Sequence, residues 1–189
     1  MLKAHLRNQF LLKRQQLTKT NRLALQHKLQ EHFLAWLPKE IFTIHIYIPI
    51  EAKNEIDTWP IIRSCWEKDL NTLVPAIDLT SRSITSRVLT PETKLQKNIW
   101  GISEPLGADF ADTNVIDLVV LPLLAYDKKG FRVGYGKGFY DKFLASFINP
   151  PLKVGLSYFE PVSEILDIHP HDIPLDICIT PETIYKFRS

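Results

Sequence analysis

The chain is poor in residues that mark several common protein classes. It has two cysteines, Cys65 and Cys178, and one methionine among 189 residues. Two cysteines are too few for a disulfide scaffold, and neither has the C-x-x-C or Cys/His spacing of a zinc site. Both are expected to be buried, small apolar residues of a reducing compartment. No stretch approaches about 18 apolar residues without a charge, and residues 1–16 lack an uninterrupted apolar segment. The expectation is a cytoplasmic protein with no membrane partner. Acidic residues are missing from residues 1–30, which carry Lys3, Arg7, Lys13, Arg14, Lys19, Arg22 and Lys28, leaving an acidic excess in the remainder. Such a segment can serve an anionic ligand, nucleic acid or a membrane surface, although a solvated helix face is the commoner explanation. Glycine is scarce too. Only seven are present, and four of them, Gly130, Gly134, Gly136 and Gly138, fall within nine residues.

What is present describes a folded chain. A hydrophobic content of 45% with 11% aromatic and 23% charged residues excludes a disordered or fibrous class. The length suits one substantial core, so residues 1–189 are read as a single domain. Leu2, Leu6, Phe10 and Leu17 recur at helical spacing, with Lys3, Arg7 and Arg14 on a neighbouring stripe. A second helix is expected to bury Leu25, Leu29, Phe33 and Leu37 before Pro38 stops it. Phe42, Ile44, Ile46, Ile48 and Ile50 alternate with Thr43, His45, Tyr47 and Pro49, as in a strand. Thr58 is placed as the N-cap of a helix that has Pro60 in its first turn and contains Ile61, Ile62, Cys65 and Trp66.

Strands are expected over residues 72–77, 84–89, 153–158 and 177–179, with a nearly continuous apolar one over 115–124 (VIDLVVLPLL) that runs into the glycine-rich segment. Helical segments are expected over about 139–147, near 162–166, and briefly from Thr90 before Trp100. Strands alternating with helices argue for an α/β three-layer domain with a mainly parallel open sheet and helices on both faces.

Between strand and helix, GFRVGYGKGFYD (residues 130–141) combines glycines, which admit φ > 0 and close backbone approach, with the cations Arg132 and Lys137 and a following helix start. A polyphosphate would fit there, at the sheet edge where open α/β folds bind ligands. Neither common nucleotide fingerprint matches: Lys137 is followed by Gly138 where a Walker A loop needs Ser or Thr, and the third glycine after Gly134 and Gly136 comes one residue early for a dinucleotide fold. On glycines alone, a tight structural turn explains the segment as well as an anion site. Arg132, Lys137 and Asp141 tilt the reading toward function.

Residues 127–144, DKKGFRVGYGKGFYDKFL, resemble the most characteristic block of the 5-formyltetrahydrofolate cyclo-ligase (5,10-methenyltetrahydrofolate synthetase) family, roughly D-x-x-G-x-R-L-G-x-G-x-G-Y-Y-D-x-x-L. Three further segments agree in order: residues 3–7 (KAHLR), 54–58 (NEIDT) and 100–105 (WGISEP). The resemblance implies a Rossmann-like fold shared broadly with sugar-phosphate isomerases and CoA transferases. It also implies an ATP-dependent, Mg²⁺-requiring cyclisation of 5-formyltetrahydrofolate, with or without a polyglutamate tail, to 5,10-methenyltetrahydrofolate through a phosphorylated formyl (iminophosphate) intermediate. ADP and phosphate are released.

By the same resemblance, Lys3, Arg7, Arg132, Gly134, Tyr135, Gly136, Lys137, Gly138, Phe139 and Tyr140 would form the ATP site, with Arg132, Lys137 and Tyr140 serving catalysis. Ile50, Glu55, Trp100 and Tyr140 would contact the folate. Asp141 and, in the segment HDIP, Asp172 would hold Mg²⁺. Phe139 departs from the family's first tyrosine, keeping a ring without a hydroxyl. A monomer is expected, with no nucleic-acid partner.

Taken singly, each of these residues has a plainer explanation: Lys3 and Arg7 a solvated helix edge, Glu55 a loop carboxylate, Trp100 core, Asp141 a first-turn helix residue. His169 and His171 are read as loop residues, and Asp127, Asp167 and Asp176 as turn or surface residues. Two competing functions follow from the same features, a sugar-phosphate isomerase or acyl-CoA-type binder by fold analogy, and a nucleic-acid binder by the basic first thirty residues.

Overall fold

A computed structural model describes residues 1–78, 81, 83–98 and 101–187. Two helices open the chain, α1 (Lys3–Gln16) and α2 (Lys19–Trp36), followed by β1 (Thr43–Ile46), α3 (Trp59–Glu67), β2 (Asn71–Asp78) and β3 (Ser83–Val88). A small hairpin, β4 (Leu95–Lys97) with β5 (Ser103–Pro105), precedes β6 (Phe110–Ala111) and β7 (Leu118–Leu121). A second hairpin, β8 (Ala125–Tyr126) with β9 (Arg132–Val133), leads to α4 (Phe139–Ala145), and β10 (Leu152–Leu156), β11 (Ile177–Ile179) and β12 (Ile184–Lys186) complete the order.

Eight strands form one sheet in the order β12-β11-β10-β7-β1-β2-β3-β6. The five inner strands from β11 to β2 run parallel, while β12, β3 and β6 are antiparallel additions at the edges. Period-two alternation sorts the inner side chains onto two faces. On one face Ile44, Ile46, Leu118, Val120, Val154 and Ile177 pack under Leu29 and Phe33 of α2 and Ile61, Ile62 and Cys65 of α3. On the other, Leu73, Val119, Leu121 and Cys178 pack under Phe143 and Leu144 of α4 and the following Phe147. The expected three layers are therefore present. Leu6 and Phe10 of α1 pack with Leu124, Ala125 and Val133 around the second hairpin, so this helix lies near the glycine-rich segment rather than over the middle of the sheet.

Several local expectations are corrected. Thr58 stands at the N-cap of α3, but its side chain does not cap. Its hydroxyl donates to the Tyr47 carbonyl at 2.7 Å, and Asp57 instead accepts from the Trp59 N–H. No helix forms at 162–166, because its backbone donors are drawn away: Val162 N–H to Tyr126 O, Ile165 N–H to the Asp127 carboxylate and Leu166 N–H to Met1 O. The short helix expected from Thr90 is a turn in which Thr93 Oγ1 accepts from the Thr90 N–H. The run 115–124 contributes only β7 to the sheet, and Phe42 lies outside β1, two-thirds exposed. The β8–β9 hairpin separates β7 from the glycines. Gly130 belongs to that hairpin's turn at φ +87°, where an added Cβ would lie 2.8 Å from both the Leu175 carbonyl oxygen and the Phe187 ring.

Candidate functional site

The position of the site follows from the strand order. From β1 the chain passes to α3 on one face and on to β2 at one side, whereas from β7, on the other side of β1, it passes to α4 on the opposite face. The loops leaving β1 and β7 therefore diverge at the carboxyl edge, opening the crevice that parallel α/β sheets present where strand order reverses. Residues 47–58 lie on one side of it and the glycine-rich segment on the other.

A hydrogen-bonded bridge joins the two. The Tyr135 hydroxyl, from between Gly134 and Gly136, donates to Glu55 Oε1. Glu55 Oε2 accepts the Ile50 N–H at 2.6 Å, so the carboxylate ties together both ends of its own loop. Glu55 is buried. Burial pushes its carboxyl above the usual range, opposed by the Tyr135 hydroxyl, the Ile50 N–H and the Arg14 and Lys53 charges. Lys53 also sits 3.9 Å over the Tyr135 ring. Tyr140, half-buried in the first turn of α4, stands edge-to-face with Phe143; burial and then Glu55 hold its phenol in the neutral form.

The basic stripe of α1 turns inward, overturning the solvated-face reading. Arg7 Nε donates to the Gly134 carbonyl at 2.9 Å, and its guanidinium lies so close to Gly136 that an added Cβ would come within 3.0 Å of it. Gly136, at φ +87°, is thus a glycine required by both backbone conformation and close approach. Lys3 Nζ reaches Asp172, and the Lys3 N–H donates to Asp167 Oδ1 at 2.7 Å, anchoring the start of α1. Arg14, 4% exposed, donates to the Leu123 carbonyl at 2.6 Å and stands 3.4 Å from the Tyr135 hydroxyl. Its role beside the loop was not anticipated, although the i, i+4, i+11 spacing of Lys3, Arg7 and Arg14 was the available signal.

Arg132 does not project into the loop. It extends from β9 into the protein, pairing with Asp141 Oδ1 at 2.8 Å and donating to the Ile173 carbonyl. Asp141 also accepts the Ile173 N–H. Asp172, the residue before Ile173, accepts the His169 N–H at 2.6 Å as well as the Lys3 ammonium. Burial would raise its carboxyl, but those two donors hold it below the ordinary range. Asp141 and Asp172 are thus gathered by one short segment, each with a cation. Among the described residues no group of three or more His, Cys, Asp or Glu could hold a metal by itself. Two carboxylates completed by phosphate oxygens are nevertheless an ordinary magnesium donor set, so the residues fit that ion as part of a nucleotide complex.

Lys137 and Gly138 are exposed, and Phe139 starts α4 half-buried. Trp100 lies outside the described residues. In the same block, Glu104 accepts the Ile77 N–H at 3.0 Å, pinning the β4–β5 hairpin beside the end of β2. Asp127 is buried rather than a surface residue, its carboxylate accepting from the N–H groups of Lys129, Phe131 and Ile165. Asp176 pairs with Lys153.

A 5-formyltetrahydrofolate cyclo-ligase family model matches residues 1–181. The 5-formyltetrahydrofolate cyclo-ligase of Haemophilus influenzae is 34% identical over 126 residues, covering 65% of this chain and 67% of the relative. That of Mycoplasma pneumoniae is 29% identical, with 96% of this chain and all of the relative covered. Among solved structures, the 5,10-methenyltetrahydrofolate synthetase of Aquifex aeolicus superposes with a TM-score of 0.83 at 30% identity, covering all of this chain and 94% of the other. The Mycoplasma pneumoniae synthetase gives 0.77 at 26% identity, covering 96% of this chain and all of the other. The match runs through every element that builds the crevice, and the chain belongs to the 5-formyltetrahydrofolate cyclo-ligase family of enzymes.

Proposed function

We propose that this chain uses Mg-ATP to close 5-formyltetrahydrofolate to 5,10-methenyltetrahydrofolate, releasing ADP and phosphate. The observation that carries the reading is the Tyr135–Glu55 bridge, which places the glycine-rich loop and the acidic loop on one crevice. A folate over Glu55 and a triphosphate along the glycines would meet there.

The formyl oxygen is a poor leaving group. Its attack on the γ-phosphorus, with cleavage of the bond to the β-phosphate bridging oxygen, converts it to a phosphate ester of an iminium carbon. N10 then bonds to that carbon, its proton departs, and the carbon–oxygen bond breaks with release of phosphate. Positioning and charge neutralisation suffice for both stages, with no covalent enzyme intermediate.

Glu55 would accept pterin N–H groups, Ile50 and Trp100 would pack on the rings, and Tyr140 would stand between folate and phosphates. Gly134, Tyr135, Gly136, Lys137, Gly138 and Phe139 would supply backbone along the polyphosphate. Lys3, Arg7 and Lys137 are the cations for its oxygens, while Arg132 holds Asp141 from inside the protein. Asp141 and Asp172 would hold Mg²⁺, which supplies charge neutralisation to the phosphates. Lys3 and Arg132, already paired to those carboxylates, keep the site internally neutral until metal and phosphate arrive together.

Incubation with 5-formyltetrahydrofolate and Mg-ATP is expected to produce the near-ultraviolet absorbance of the methenyl product. Folded protein that gives no ATP-dependent rise would refute the assignment.

A further inference from the structure

Arg14 occupies a position that packing alone would give to hydrocarbon. Leu6 and Phe10 stand eight and four residues before it on the same face of α1 and are buried, and the next place in that row is this guanidinium, 4% exposed. Burying a charge costs several kcal/mol unless it is compensated. Its compensation is sparse: one guanidinium nitrogen donates to the Leu123 carbonyl, a second points at the Tyr135 hydroxyl, and Nε has no partner among the described residues. No carboxylate pairs with it among the described residues. The nearest carboxylate along this chain of contacts is Glu55, one hydroxyl away, and the Arg14 charge is among the influences that oppose protonation of that buried acid.

We propose that Arg14 is a positioning residue for the folate side of the site, holding the Tyr135 hydroxyl so that it donates to Glu55 and fixes the carboxylate the substrate meets. A phenol has one proton and can point it at either neighbour. A guanidinium on the other side offers only donors, so the Tyr135 proton is directed to Glu55. The bond also latches residues 50–55 to the glycine loop, so losing it would loosen the wall that receives the folate while leaving Arg7 on the Gly134 carbonyl. The inference rests on the cyclo-ligase reading.

The test compares the wild type with Arg14→Met, Arg14→Lys, Tyr135→Phe and the Arg14→Met/Tyr135→Phe pair, measuring KM for 5-formyltetrahydrofolate and for ATP separately. Arg14→Met and Tyr135→Phe are each expected to raise the folate KM about tenfold, the scale of one hydrogen bond to a charged group, with the ATP KM within about twofold of wild type. The pair should be no worse than either single variant, and Arg14→Lys should recover part of the loss. If Arg14→Met fails to fold, Tyr135→Phe carries the test, since it keeps the ring and the Arg14–Leu123 bond. An unchanged folate KM in Tyr135→Phe, equal rises in both KM values, or additive losses in the pair would overturn the proposal. A wild type with no turnover of 5-formyltetrahydrofolate defeats the functional reading itself, an outcome distinct from active variants with unaltered KM.

Discussion

At the scale of single residues, the charged groups of the proposed site also hold the fold together. Asp141 is both a proposed metal ligand and the partner of Arg132, whose side chain is only 7% exposed. Asp141→Ala is therefore expected to reduce turnover at least hundredfold and also to lower the melting temperature by several degrees, because an almost buried guanidinium loses its carboxylate. Calorimetry beside kinetics checks both parts, and unchanged melting would show that the pair contributes nothing to stability. His45 is different. It is fully buried in β1, stacked at a tilt on Phe143, with neither ring nitrogen partnered among the described residues. Burial lowers its pKa to about 3. The folded state thus favours neutral imidazole, so stability from this residue is complete above its unfolded value near 6.5 and is lost as pH falls toward 3. In His45→Phe, the stability difference between pH 7 and pH 5 in urea titrations should shrink by about 2 kcal/mol, roughly 1.4 kcal/mol per unit over the window.

At the scale of elements, the four clustered glycines separate by function. Gly130→Ala meets both a left-handed backbone and a wall of Leu175 and Phe187, whereas Gly138→Ala meets the left-handed backbone alone, with open space around its Cβ. The first should therefore destabilise the protein well beyond the roughly 1–2 kcal/mol of a left-handed alanine, and the second by about that amount, as chemical denaturation would show. Equal losses would contradict the packing role of Gly130. The central sheet was legible because Ile44 and Ile46 alternate and residues 118–121 are apolar throughout, patterns that depend only on local period. The amphipathic helix α1 was legible for the same reason. The direction of its basic stripe was not: periodicity treats Arg14 and Lys3 as polar, and only the Leu123 carbonyl and Asp172, more than a hundred residues away, draw them inward. The missing helix at 162–166 has the same cause. Its donors bond to Tyr126, Asp127 and Met1, partners no local pattern contains. In the site, the resemblance named Glu55 and Tyr135 separately, but their bond across the crevice needed the strand order.

At the scale of the whole molecule, the proposed site is a set of internal ion pairs that would exchange partners on binding. On that proposal, Lys3–Asp172 and Arg132–Asp141 would oppose metal without phosphate, which would leave the cations unmatched, and phosphate without metal, which would strand the carboxylates. Binding of a non-hydrolysable ATP analogue, followed by calorimetry, should therefore tighten in Mg²⁺ by a factor in the usual coupling range of about 5–150, and by linkage the analogue should tighten Mg²⁺ equally. Lys3→Met should weaken this coupling, and metal-independent analogue binding would contradict the exchange. Folate and nucleotide meeting in the crevice as proposed requires that the formyl oxygen itself take the γ-phosphoryl group. Turning over 5-formyltetrahydrofolate that carries ¹⁸O in the formyl group, and analysing the released phosphate by mass spectrometry, follows that oxygen. One ¹⁸O atom is expected in each phosphate, whereas phosphate free of label, with ¹⁸O recovered in water, would rule this transfer out.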